Sequence, residues 1–107
     1  MSAPKTPPNL SRKAAKLWRD LTTEYGICDS GGLAILEAGL RAFDRAEAAR
    51  GIIAAEGLQA PDRFGVMKPH GLIPAERDAR GQWLAALKQL HLDVEPLNSG
   101  PGRPPGR

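Results

Sequence analysis

His70 has the neighbours that invite an acid–base or ligand reading: Lys68 stands two positions before it, and Glu56, Asp62 and Arg63 lie close by in the chain. An imidazole that titrates near neutrality can act as a general base or bind a metal. The spacing argues against both. Metal sites bring two or more His, Cys or carboxylate ligands to recurring separations, whereas His70 and His91 stand alone, no HxxxH or CxxC pattern occurs, and Cys28 is the single thiol. Gly31-Gly32 precedes an apolar segment without the Lys and Ser/Thr that hold phosphate, and neither a G-x-S-x-G turn nor a dinucleotide fingerprint is present. The sequence therefore nominates no catalytic residue, no metal ligand and no cofactor, and the expectation is a protein that is not an enzyme. His70 reads as a positional side chain bonded to backbone, and Cys28 as a small buried filler.

Cations offer the better chemistry. Arg12, Lys13, Lys16 and Arg19 fall at separations of one, three and three, which puts Arg12, Lys16 and Arg19 on one helical face opposite Leu17 and Leu21. Lys5 precedes them, and Asp20 is the one acid in the first twenty residues, within a chain of formal charge +3 and pI near 9.4. That face suits phosphate contact, and it equally suits an ordinary solvated helix. The tail GPGRPPGR carries Arg103 and Arg107 in a Gly/Pro chain of the kind that lies along a minor groove. It resembles a partial AT-hook, with Gly102-Arg103-Pro104 in place and Pro101 where the first arginine belongs; a disordered tail with no groove role fits as well. The start of the second helical segment, DSGGLAILEAG, has no Arg, Asn or Gln to offer base edges, so phosphate and shape recognition is expected in place of base readout.

The elements that must position these cations read as follows. Residues 1–9 form a polar, Pro-containing flexible lead, 10–95 a helical DNA-binding and oligomerisation domain, and 96–107 a disordered basic tail. A chain of 107 residues makes one domain with a modest core. Ser11 caps a first helix with the stripe Ala14, Leu17, Trp18, Leu21 and Tyr25, ended by Gly26. Asp29 or Ser30 caps a second, dominant helix reaching Gly57, roughly 40 Å long at 1.5 Å per residue; a break at Gly51 is the alternative. FGVMKPHGLIPAER is a turn-rich connector or short hairpin between Leu58 and Ile73, packed by Val66, Met67, Leu72 and Ile73. A third helix begins near Pro74 with the stripe Ala79, Trp83, Ala86, Leu87 and Leu90. The fold class is mainly α: a helical hairpin with a long central helix, a hairpin-like connector, a third helix and a basic tail.

The long helix holds Gly39, Ala42, Ala46, Ala49, Gly51, Ala54 and Ala55, which leave room for another helix to approach. A neighbouring subunit is the expected cover, with Leu36, Gly39, Leu40, Phe43, Ala46 and Ile53 as the oligomerisation contacts. A lone cysteine, a polar N-terminus and the lack of an apolar run near 18 residues point to the cytoplasm and away from a membrane.

From Pro8 to Pro96 the order of features resembles the phage terminase small subunit family, in the branch found in long-tailed phages and prophages. The residues that carry the resemblance are PPNLSRKAAKLWRDLTTEYGI, the long LAILEAGLRAFDRAEAARGIIAAEGL segment, the FGVMKPHGLIPAER turn, and WLAALKQLHLDVEP followed by a basic GRPP tail. The chain departs from the family at Gly71, where proline more often follows the histidine. The resemblance implies a non-catalytic, ring-forming homo-oligomer that binds double-stranded phage DNA and presents it to the large terminase subunit, an ATPase–nuclease. A ring would also compensate for loose binding by about four phosphate contacts per chain, through avidity. The rival readings are a dimeric helical transcriptional regulator and a helical adaptor that does not bind DNA.

Overall fold

The computed structural model describes residues 4–92 and is mainly helical, in the order α1 (Arg12–Tyr25), α2 (Ser30–Glu56), β1 (Gln59–Pro61), β2 (Met67–Pro69) and α3 (Leu72–Gln89). The expected tail with Arg103 and Arg107 lies outside the described residues.

Local chemistry sets the helix ends. Ser11 Oγ accepts the Ala14 N–H at 3.0 Å, and Asp44 of α2 in turn accepts both the Ser11 N–H at 2.8 Å and its O–H at 2.5 Å, so the cap of α1 is clamped to the next helix. Gly26 closes α1 in the left-handed region, φ 63°, where a side chain would be strained. Asp29 caps α2 by accepting the Gly32 N–H at 2.8 Å. Thereafter α2 runs unbroken through Gly51 to Glu56, and the alternative break at Gly51 does not occur.

Helix α3 returns antiparallel along α2, as the pairings Arg50–Glu76, Arg45–Gln82, Phe43–Trp83 and Gly39–Ala86 show in sequence order. Trp83 meets Phe43 edge to face, centroids 5.5 Å apart. Gly39 lets the backbones close: a Cβ there would sit 2.6 Å from the Ala86 Cβ and 3.2 Å from the Trp83 ring. Helix α1 lies across the first half of α2, burying Ala14 and Trp18 against Ile27, Leu36 and Leu40. Between α2 and α3, β1 and β2 pair antiparallel with Ala60 opposite Lys68.

Several expectations are corrected. Leu36, Gly39, Leu40, Ala42, Ala46 and Ala49 are buried within one chain, under α1 and α3, and need no neighbouring subunit to cover them, whereas Gly51, Ala54 and Ala55 of the same helix are exposed. The long-range return of α3 supplies the partner that the stripe required. The lead expected over residues 1–9 touches the fold at two points, where the Trp18 indole N–H donates to the Pro4 carbonyl at 3.4 Å and Arg41 donates to the Pro8 carbonyl at 3.2 Å. Cys28 is exposed, since the buried place in the α1–α2 connector is taken by Ile27 and the next residue faces away. Val66 and Met67, expected as packing residues of the connector, are more than half exposed. Helix α3 starts at Leu72, two residues before Pro74, which sits within the first turn where its missing N–H has no partner to lose.

Candidate functional site

The early start of α3 is explained by His70. Gly71 occupies the cap position and has no side chain to offer, so His70 Nδ1 accepts the Leu72 N–H at 3.1 Å while the His70 carbonyl accepts the Ile73 N–H. An Nδ1 that accepts must carry its ring proton on Nε2, and that N–H donates to Glu56 Oε1 at 2.7 Å, at the end of α2. The backbone N–H of His70 donates to the Leu58 carbonyl at 2.8 Å. Only 7% of His70 is exposed. Both ring nitrogens are spent on joining α2, the hairpin and α3, which leaves neither to take a proton from a substrate. Glu56 is thus a structural partner. Among the described residues no group of three or more His, Cys, Asp or Glu side chains is gathered as for a metal ion.

The hairpin turn is fixed by Asp62. Its Oδ1 accepts the N–H groups of Phe64 at 2.8 Å and Val66 at 3.0 Å, and Lys68 Nζ stands 3.5 Å from Oδ2. The N–H groups of Val66 and Phe64, followed by Lys68, hold its carboxyl below the ordinary value of 3.8.

On α1 the buried stripe Ala14, Trp18 and Thr22 turns inward, and Arg12, Lys16 and Arg19 project from the opposite side into solvent. Helical geometry at 100° per residue gives this separation directly. The guanidinium groups of Arg12 and Arg19, and the Lys5 ammonium, have no side-chain partner among the described residues. Lys16 pairs with Asp20 at 2.6 Å, a surface i,i+4 contact that exchanges readily with another anion. Lys13 points elsewhere, 3.5 Å from Glu47 of α2 and 5.7 Å from the Phe43 ring centroid. The structure therefore brings Arg12, Lys16 and Arg19 together, and Lys13, an i,i+3 neighbour of Lys16, differs from them in being paired with Glu47 of α2.

The expected oligomerisation set divides likewise. Leu36, Gly39, Leu40 and Ala46 are inside the chain and unavailable to a sister chain, while Phe43 and Ile53 are half-buried. Sequence reasoning missed an ion-pair chain that ties the three helices on one side, Lys13–Glu47–Arg50–Glu76–Arg80. The expected short hairpin is present, but sequence reasoning missed that its apolar side chains are exposed, a feature signalled by the two prolines of β1 and β2. By strand alternation from the His70–Leu58 and Asp62–Val66 bonds, Pro61 and Pro69 stand where an outward N–H would otherwise be offered.

No helix among the described residues is long and apolar enough to cross a membrane. No protein-family model matches the chain, and neither a curated protein nor a solved structure matches it significantly.

Proposed function

We propose that this chain is a non-catalytic, DNA-binding subunit of a phage genome-packaging machine, of the terminase small subunit kind. It grips the phosphates of double-stranded DNA through α1, assembles into a homo-oligomeric ring and delivers the genome to the large ATPase–nuclease subunit in the cytoplasm of the bacterial host. What supports this most is the outward face of α1, where Arg12, Lys16 and Arg19 stand together, two of them without an anionic partner among the described residues, on a helix whose other side is locked in the core. Phosphate contacts of this kind position without reading sequence. The first turn of α2, Ser30-Gly31-Gly32, offers no Arg, Asn or Gln to base edges.

Binding of the full chain to duplex DNA across a salt series tests the proposal. One phosphate for each of the three outward cations gives a log–log salt slope of about −2.7 per chain. Replacing Arg12 and Arg19 by alanine flattens it by about 1.8 and weakens binding alike on unrelated sequences. An unchanged slope removes α1 as the contact, and no salt-sensitive binding at all favours the adaptor.

A further inference from the structure

The hairpin carries a concentration of exposed large apolar side chains, with Phe64 76%, Leu58 70%, Met67 55% and Val66 54% exposed. A solvated turn has no use for them. They are held firmly: Asp62 ties down the Phe64 and Val66 N–H groups, and His70 fixes the hinge. Arg63 lies over the Phe64 ring, 5.1 Å from its centroid, and Lys68, 3.5 Å from Asp62, has a side chain 63% exposed. The tip is thus an apolar knob with a cationic rim. Proline at the outward positions of both strands makes strand addition an unsuitable use for it.

The same chain carries the complementary shape. Between the start of α1 and the middle of α2 is an open hollow of about 660 Å³, with Leu10, Phe43 and Ala48 as its apolar lining and Asp44 and Glu47 as its acids, against which Lys13 is the one base. No hairpin residue lines it. From Ala48 to the end of α2 is roughly 12 Å of rigid helix, so the knob hangs beyond its own hollow.

We propose that the hairpin tip of one copy seats in the α1–α2 hollow of the next, Phe64 and Met67 against Leu10 and Phe43, with Arg63 and Lys68 facing Asp44 and Glu47. The contact is head to tail. Each copy keeps one knob and one hollow open, so the chain of contacts continues, closing into a ring where the rotation between copies permits. It rests on the preceding section in that the subunit self-associates, and it replaces the buried Leu36, Gly39, Leu40 and Ala46 as the surface that does so.

The full chain is tested by light scattering at its highest soluble concentration, with Phe64→Asp as the knobless form and Ala48→Arg as the blocked hollow. Both positions are exposed, and far-UV circular dichroism checks the fold; Phe64→Ser and Lys68→Glu stand in should the aspartate disturb the turn. The expected result is a wild type larger than a dimer, each variant alone at the single-chain 11.4 kDa, and an equimolar mixture at twice that mass. In the mixture one knob meets one hollow and nothing remains to extend. A variant that stays assembled, or a mixture that stays at single-chain mass while the wild type assembles, overturns the knob and hollow and leaves self-association standing. A wild type at single-chain mass overturns both. A Phe64 variant that loses DNA binding with unchanged mass assigns the tip to DNA and overturns this contact as well.

Discussion

Helix α2 contains two interior glycines whose replacement by alanine has opposite consequences, and the contrast tests the packing of α2 on α3. At Gly51 an added Cβ meets nothing within 4 Å, so only the intrinsic preference of the helix acts, and Gly51→Ala stabilises by about 0.5–1 kcal/mol. At Gly39 the added Cβ falls 2.6 Å from the Ala86 Cβ, where methyl carbons rest at about 3.5–4.0 Å. A Cβ is fixed to its backbone and cannot swing aside, so the two helices must part by roughly 1 Å at the crossing. The Trp83 ring at 3.2 Å blocks the alternative of a simple roll toward that side. Overpacking of this kind costs about 1–3 kcal/mol, and the immovable neighbour puts Gly39→Ala in the upper part of that range. Offset by about 1 kcal/mol of helix preference, the net loss is about 1–2 kcal/mol.

Urea unfolding followed by circular dichroism reads this as midpoints displaced in opposite directions with similar slopes. In a domain of this size each kcal/mol is worth about 4–8 °C of Tm. Ala86→Gly in the Gly39→Ala background opens the space again and recovers stability beyond the sum of the single changes, a coupling expected only for groups in contact. If Gly39→Ala raises the midpoint as Gly51→Ala does, α3 does not lie on Gly39 and the single-chain cover of α2 is wrong.

His70→Phe keeps the bulk of the ring but leaves the Leu72 N–H unpaired, for a loss of about 1–2 kcal/mol, whereas His70→Asn places an acceptor near Nδ1 and loses less. Nitrogen chemical shifts of the imidazole should report the Nε2-protonated form, and a fully stable His70→Phe would refute the capping role. For Asp62 the folded pKa lies below 3.8, so the carboxylate's support of the turn is complete above that value and is lost as pH falls through the folded one. The Phe64 and Val66 amide resonances should therefore titrate with a midpoint under 3.8 and cease to do so in Asp62→Ala; a midpoint at or above it would contradict the two N–H bonds.

The parts of this fold that were legible in the sequence are those decided within a few residues. Ser11, Gly26, Asp29 and Gly57 mark the ends of α1 and α2 because caps and left-handed turns act locally, and Gly/Pro punctuation placed the hairpin. A stripe of small residues says that something approaches closely, without saying whether it comes from the same chain. Gly39 and Ala86 are far apart in sequence and meet only because the His70 joint reverses the chain. The bond of His70 to backbone was legible in the sequence, but its second bond, to Glu56 at the end of α2, was hidden, since a histidine one place before the cap has no recurrent spacing to betray its partner. Pro4 and Pro8 were read as a lead for a similar reason: their carbonyls find Trp18 and Arg41 across the fold, and a carbonyl leaves no trace in a pattern of side chains.

The pairing of Lys13 with Glu47 bears on how DNA contact and self-association coexist. Lys13 stands about 100° around α1 from Arg12, and it lines the hollow with Glu47 and Phe43. A hairpin tip seated there would cover Lys13 and leave Arg12, Lys16 and Arg19, none of which lines the hollow, in solvent. Three phosphate contacts per copy, not four, then enter the salt dependence, which is why a slope near −2.7 per chain is expected. Contacts so few bind loosely one chain at a time. Fixed on α1, itself clamped by Asp44 through Ser11 and by Pro4 through Trp18, they recur at a constant spacing in a head-to-tail assembly and act on one polyanion together.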